Sequence, residues 1–90
     1  MYKIVYSPEA ESGLSKLKRS EPVYFAKAAK LLNEIALHPR TGTGHPEQLK
    51  GCPVGRWSRQ ISKKHRIVYR IFDDEVYVTV LSAYGHYDDK

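Results

Sequence analysis

Residues 56–72 constrain the fold of this 90-residue chain more than any other stretch. Two runs of β-branched and aromatic residues, alternating with polar ones, lie on either side of the polar loop Ser62-Lys63-Lys64. Side chains along a strand point alternately to the two faces of a sheet, so this alternation predicts two antiparallel strands joined at the loop. One face of the hairpin should then be polar and cationic, and the other should pack into a core.

The number of loop residues decides which arginines share the polar face. If that number is even, opposed positions pair an odd residue with an even one, and Arg59 lies on the same face as Arg66. The predicted polar face then holds Arg59, Arg66, Val68 and Arg70, and the predicted core face holds Ile67, Tyr69 and Ile71. A solvated strand face is the ordinary interpretation of any single arginine. Several neighbouring like charges destabilise a sheet unless an anion lies between them, which favours a polyphosphate ligand.

The first half of the chain predicts a strand followed by two helices. Tyr2–Tyr6 alternates apolar and polar residues, and Ser7-Pro8 supplies a helix N-cap and a first helical residue. A second helix should begin at Ser20-Glu21-Pro22 and stop before Pro39, because the residue before a proline is disfavoured in the α region. Residues 39–46 then form a loop rich in turn residues.

The second half predicts consecutive strands. Glu47–Lys50 is a candidate short strand ahead of the hairpin, and Val76–Leu81 is a β-branched run after the turn at Asp73-Asp74. A strand, two helices and then consecutive strands are typical of an α+β fold, with the two N-terminal helices packed on one face of a mostly antiparallel sheet. The opposite face of the sheet is then available for function.

Composition and charge limit the class of protein. Residues 1–90 are expected to form a single domain, and 15 Lys and Arg residues against 10 Asp and Glu residues give a net charge of +5. This balance favours nucleic acid or an acidic protein as a partner. Since the sequence shows no signal-peptide pattern and no membrane-spanning run, we expect a cytoplasmic location and no membrane partner. Cys52 is the only cysteine, and the four histidines lack the spacing of a zinc site.

Four sequence blocks together resemble one known family. They are Gly-Thr-Gly-His-Pro-Glu-Gln-Leu-Lys at 42–50, Gly-Arg-Trp-Ser-Arg-Gln-Ile at 55–61, His-Arg-Ile-Val-Tyr at 65–69, and the pair His86-Tyr87. In this order they resemble the Txe/YoeB family, toxins of bacterial toxin–antitoxin pairs within the RelE superfamily. The resemblance implies a fold like that of small microbial ribonucleases. It also implies a ribosome-associated endoribonuclease that cleaves messenger RNA without a metal or other cofactor.

The resemblance implies partners as well as an activity. They are messenger RNA, the ribosome, a YefM- or Axe-like antitoxin, operator DNA reached through the antitoxin complex, and a second copy of the chain in a homodimer. An acidic, disordered segment of the antitoxin is expected to lie across the cationic face or to displace the His86-Tyr87 pair.

Six residues receive roles from their matching family positions. The implied roles are general base for Glu47, general acid for His86, transition-state clamp for Arg66, phosphate binding for Lys50 and Arg59, and nucleotide orientation for Tyr87. Metal-free RNA cleavage needs a base for the ribose 2′-hydroxyl, cationic donors for the phosphorane and an acid for the departing 5′-oxygen. We also expect Glu47 to be partly buried, because burial offsets the effect of nearby cations on the pKa of a carboxylate.

Two other functions stay open at the level of sequence. A related branch of toxins inhibits DNA gyrase, and a basic sheet face also suits a nucleic-acid-binding module without chemistry. Neither function requires both a base and an acid. A short distance between Glu47 and His86 would therefore favour the enzyme, and a large one would favour the binding module.

The end of the chain departs from the family pattern in two respects. Asp88-Asp89-Lys90 follow the His86-Tyr87 pair, and the two carboxylates are expected to raise the pKa of the histidine or to repel RNA phosphate. Gly85 directly precedes His86, and a glycine is expected to loosen the backbone that holds the proposed acid.

Overall fold

A computed structural model describes residues 1–50 and 55–85 of the chain. In chain order the elements are β1 (Lys3–Tyr6), α1 (Pro8–Ser20), α2 (Pro22–Leu37), β2 (Glu47–Gln48), β3 (Arg56–Gln60), β4 (Arg66–Phe72) and β5 (Tyr77–Ser82). In the part of the chain that is described, no helix is long and apolar enough to cross a membrane.

A serine cap and a proline begin α1, as the sequence predicts. The Ser7 hydroxyl oxygen accepts a hydrogen bond from the Ala10 N–H at 3.0 Å, and Pro8 is the first helical residue. The same hydroxyl donates to the Leu81 carbonyl at 2.8 Å. The cap therefore also attaches the start of α1 to β5.

Prolines mark both ends of α2. Pro22 is the first residue of the helix and Leu37 is the last. The N–H of His38 donates to the Glu34 carbonyl and closes the final turn. The predicted start at Pro22 and the predicted stop before Pro39 are both confirmed.

The five strands form one mixed sheet in the order β1-β5-β4-β3-β2. β1 runs parallel to β5, and the other neighbouring pairs are antiparallel. Both helices pack on one face, where the buried core includes Ala10, Leu17, Ala28, Leu31, Ile35, Ile67, Tyr69, Val78 and Val80. The α+β prediction is confirmed. We call the opposite side the open face, and its strand positions include Glu47, Ser58, Arg66, Arg70 and Thr79.

The register between β3 and β4 corrects one expectation. Gln60 pairs with Arg66, so residues 61–65 form the loop, and this odd number pairs odd positions with odd positions. Arg59 therefore lies opposite Ile67 on the core face. The prediction that Arg59 shares a face with Arg66 is wrong.

Candidate active site

Glu47 and Arg66 lie side by side on the open face. Glu47 of β2 is opposite Ser58 of β3, and Arg66 reaches the same place from β4. The Nη1 group of Arg66 donates to Ser58 Oγ at 3.3 Å and lies 3.8 Å from Glu47 Oε1. Since 62% of the Glu47 side chain and 29% of the Arg66 side chain are exposed, the pair is open to solvent. The partial burial expected for Glu47 is not observed.

Hydrogen bonds hold Gly85 against the backbone of Arg66. The Arg66 N–H donates to the Gly85 carbonyl at 3.0 Å, and the Gly85 N–H donates to Nδ1 of His65 at 2.8 Å. Gly85 has a φ of 84°, in the left-handed region that favours glycine. Both backbone polar groups of Gly85 are therefore bonded, and the expected loosening of the backbone at His86 stays a prediction, because His86 lies outside the described residues.

Lys50 lies just beyond β2. The N–H of the preceding residue, Leu49, donates to the Arg56 carbonyl at 2.8 Å and continues the pairing of β2 with β3. Lys50 itself is exposed. It is therefore available to an external ligand at the end of the strand that carries Glu47.

His86 and Tyr87 lie outside the described residues, as do Cys52 and residues 88–90. The predicted effects of the Asp88-Asp89-Lys90 segment and the distance from Glu47 to His86 stay predictions for that reason. Within residues 1–50 and 55–85, no three His, Cys, Asp or Glu side chains are arranged to hold a metal ion.

Arg59 is fully buried beneath the segment that we call loop 38–44, which connects α2 toward β2. Its guanidinium donates to the carbonyls of His38 at 2.5 Å, Thr41 at 2.7 Å and Thr43 at 3.4 Å, to the Tyr69 hydroxyl at 3.2 Å, and to Glu34 Oε1 at 3.1 Å. A buried charge is stable only when it is paired and hydrogen-bonded, and the core face supplies those acceptors. Arg59 therefore faces protein acceptors, and its predicted role as an RNA ligand is corrected to a structural one.

A family profile described as "YoeB-like toxin of bacterial type II toxin-antitoxin system" matches residues 6–87. The chain belongs to this family. The YoeB toxin of Mycobacterium bovis is 48% identical over 61 residues, which cover 68% of this chain and 69% of that relative. The YoeB toxin of Escherichia coli K12 is 30% identical over 76 residues, covering 84% and 90%.

Solved structures show the same family at the level of the fold. A YoeB/ParE toxin from Agrobacterium tumefaciens has a TM-score of 0.88 and 30% identity, covering 94% of this chain and 99% of that one. A YoeB–YefM toxin–antitoxin complex from Staphylococcus aureus contains a chain with a TM-score of 0.81 and 30% identity, covering 97% and 99%. An archaeal RelE from a RelE–RelB complex, at 10% identity and a TM-score of 0.75, shares the fold.

In this YoeB-family toxin, Glu34 anchors loop 38–44 from the end of α2. Its carboxylate accepts hydrogen bonds from the Thr43 N–H at 2.8 Å and the Thr43 hydroxyl at 2.7 Å, in addition to the ion pair with Arg59. Gly42 has a φ of 128°, which favours glycine, and a Cβ there would lie 2.5 Å from Glu34 Oε1. The Gly44 carbonyl accepts from the Gln60 N–H at 2.7 Å and attaches the loop to β3. Glu34 and Arg59 thus fix the segment that leads into Glu47.

The same hydrogen bonds predict a pH dependence of the toxin's stability. Bonds from Thr43 and the charge of Arg59 hold the pKa of Glu34 below its ordinary value of 4.5. A lowered folded-state pKa contributes stability that is present above the unfolded value and is lost as pH falls through the folded one. We expect Glu34→Gln to be less stable than the native chain near neutral pH, with a difference that shrinks below about pH 4.5. Urea unfolding at several pH values measures the difference.

The pH dependence that comes from Asp73 must be separated from that of Glu34. Its pKa is also lowered, mainly by a hydrogen bond from Arg40, so the native chain loses stability in acid for two reasons. Asp73 is present in both proteins, and subtracting the two unfolding free energies cancels its effect. A difference that stays constant from neutral to acid pH would contradict a role for the ionised Glu34 carboxylate.

Proposed function

We propose that this toxin is a ribosome-associated endoribonuclease that cleaves messenger RNA in the cytoplasm. The observation that carries the proposal is the Glu47–Arg66 pair on the open face, whose charged groups are 3.8 Å apart. A carboxylate that accepts a proton, beside a guanidinium that binds phosphate, provides the first half of phosphodiester cleavage. The resemblance of the surrounding sequence blocks to the Txe/YoeB family supports the same roles.

In the proposed reaction, Glu47 accepts the proton of the ribose 2′-hydroxyl as the 2′-oxygen forms a bond to the adjacent phosphorus. Arg66 donates to the nonbridging oxygens, whose negative charge grows as the phosphorane forms. The bond from phosphorus to the 5′-oxygen then breaks, and His86 gives its proton to that leaving oxygen. The products are an upstream 2′,3′-cyclic phosphate and a downstream 5′-hydroxyl.

The geometry of Arg66 fits the clamp role. Its side chain is fixed by Ser58 and its backbone by Gly85, so the guanidinium needs little reordering to meet a phosphate. The exposure of the pair suits a polymeric substrate, which itself excludes water when it lies on the open face and strengthens the charge interactions there. Within this scheme Lys50 binds a flanking phosphate and Tyr87 orients the nucleotide.

An antitoxin is proposed as the regulatory partner. The YoeB–YefM complexes of Staphylococcus aureus, whose toxin chain covers 97% of this one at 30% identity, support this assignment. The net charge of +5 and the arginines of the open face favour an acidic antitoxin segment, and operator DNA is proposed to bind through the same complex. The YoeB dimer of Staphylococcus aureus supports a homodimer of this chain.

The nucleophile is tested with messenger RNA and with a matched RNA that has one 2′-deoxy nucleotide at the mapped cut site. We expect the normal RNA to be cut in the presence of ribosomes and to carry the cyclic phosphate. The deoxy RNA should bind with an unchanged Kd and stay intact, because it keeps every phosphate and lacks only the attacking oxygen. Sequencing-gel mapping and end-group analysis measure both results.

The alternative functions give different results in the same assay. Cleavage of the deoxy RNA, or full inhibition by EDTA while ribosomes stay intact, would indicate attack by water with a metal ion. Binding with no cleavage of either RNA would favour a nucleic-acid-binding module. Inhibition of gyrase supercoiling with no RNA cleavage would favour the gyrase-directed branch.

A further inference from the structure

His65 is a buried histidine to which the proposed reaction assigns no role. Its ring is 2% exposed, and both ring nitrogens have partners. Nε2 lies 2.8 Å from Glu21 Oε2, and Nδ1 lies 2.8 Å from the backbone nitrogen of Gly85. The imidazole therefore bridges two positions that are far apart in sequence, the start of α2 and the last described residue of the chain.

The partners fix the protonation of the ring. A backbone N–H only donates, so Nδ1 must accept from Gly85 and cannot carry a proton. The proton of the neutral ring is then on Nε2, where it is donated to the carboxylate of Glu21. Glu21 caps α2 without a side-chain capping bond, which leaves its carboxylate for this contact. The Glu21 carboxylate thus selects the tautomer whose Nδ1 can accept the hydrogen bond from the Gly85 N–H.

The segment before His86 is held in more than one way. The ring of Tyr84 lies against the His65 ring, with centroids 4.5 Å apart, and the ring of Tyr24 also faces the His65 ring, in an edge arrangement with centroids 6.3 Å apart. The Arg66 N–H donates to the Gly85 carbonyl, so two consecutive residues of the chain hold both polar groups of Gly85. Gly85 is consequently set relative to Arg66, the proposed clamp.

We propose that His65, oriented by Glu21, is a positioning residue that holds Gly85, the residue directly before the proposed acid His86, beside Arg66. This inference rests on the proposed function, because it gives His86 the role of proton donor. His65 does not touch the RNA and transfers no proton to it. Its contribution is to keep the Gly85 N–H bonded, so that Gly85 stays in one place beside Arg66.

Two substitutions at position 65 separate the two contacts of the ring. The amide of His65→Asn reaches the place of Nδ1 and accepts from Gly85, whereas the amide of His65→Gln reaches the place of Nε2 and keeps only Glu21. We expect His65→Asn to retain protection of the Gly85 amide from hydrogen exchange and to cleave RNA within about 10-fold of the native rate. We expect His65→Gln to lose that protection and to cleave about 10²-fold more slowly at saturating RNA, with KM little changed.

Substitutions at Glu21 test the same hydrogen bond in a second way, in case the His65 variants do not fold. Glu21→Ala removes the carboxylate that selects the tautomer but removes no capping bond, and Glu9→Ala is the matched control on the exposed start of α1. We expect reduced protection of the Gly85 amide in Glu21→Ala and unchanged protection in Glu9→Ala. In the native protein, the nitrogen chemical shifts of the His65 ring should show an unprotonated Nδ1 and a protonated Nε2.

The outcomes distinguish this inference from the proposed function. Equal Gly85 protection in His65→Asn and His65→Gln, or a protonated Nδ1 in the native ring, would overturn the positioning role. Equal cleavage rates in two folded variants that differ in Gly85 protection would also overturn it. If the native protein cuts no RNA, the proposed function fails, and the proposed link from Glu21 to Gly85 is then decided by the exchange and chemical-shift data.

Discussion

Replacing Glu47 with glutamine is expected to lower the rate of RNA cleavage by ~10²–10⁴-fold, the usual effect of removing a general base. Glutamine keeps the size and hydrogen-bonding reach of the side chain but cannot accept the 2′-hydroxyl proton at neutral pH. RNA binding should stay nearly intact, because Arg66 and Lys50 keep their charges. Single-turnover cleavage on ribosome-bound messenger RNA, together with binding measured by fluorescence anisotropy, separates the two effects.

Folding should not obscure this result. The Glu47 side chain is 62% exposed and only loosely paired with Arg66, so its replacement should change the unfolding free energy by no more than about 0.5 kcal/mol. Glu75→Gln, an exposed carboxylate in the turn between β4 and β5, is the matched control and should cleave at the native rate. Native-rate cleavage by Glu47→Gln would remove Glu47 from the proposed mechanism.

Replacing Arg59 with methionine is expected to destabilise the fold by about 3–5 kcal/mol, because each buried acceptor that loses its donor costs about 1–3 kcal/mol. The ion pair contributes less, since the Glu34 side chain is 35% exposed. Methionine fills much of the volume but removes the donor to three loop carbonyls and the Tyr69 hydroxyl. Glu34 loses its ion pair and keeps its hydrogen bonds from Thr43. For a domain of this size the loss corresponds to a fall in Tm of roughly 12 °C or more. Thermal and urea unfolding monitored by circular dichroism measure it.

The matched control for Arg59 is Arg40→Gln. Arg40 forms an ion pair with Asp73 at 2.7 Å, but the two side chains are 45% and 54% exposed, so its loss should cost no more than ~1 kcal/mol. Arg59→Lys should fall between the two, because it keeps the charge and lacks the fork of donors. Weaker RNA binding by Arg59→Met without a loss of stability would restore the phosphate-binding role predicted from the sequence and contradict the buried placement.

The features that sequence predicts correctly here are those with local causes. A serine and a proline at adjacent positions start α1, and the residue before Pro39 ends α2, since both effects act within a few residues. Alternation along 56–72 predicts two strands for the same reason. Arg66 on the open face and the α+β class follow from these local patterns.

The features that sequence misses depend on partners that are distant in the chain. The sequence pattern alone does not fix the face of Arg59, because one residue more or less in the loop 61–65 reverses the side to which a strand position points. A glycine at position 85 predicts a flexible backbone. Its hydrogen-bonding partners, His65 and Arg66, lie 20 and 19 residues earlier in the sequence. The contact of Ser58 with Arg66 has no sequence signal other than the correct register.

The parallel pairing of β1 with β5 bears on when this toxin can fold. Lys3–Tyr6 pairs with Tyr77–Ser82, a strand that lies about 70 residues later in the sequence. Contacts of such large sequence separation form late and slowly. A nascent chain that ends before β5 lacks the central partner of β1 and the glycine beside Arg66. The pair at Glu47 and Arg66 therefore gains its full support only after β5 and Gly85 have joined the sheet.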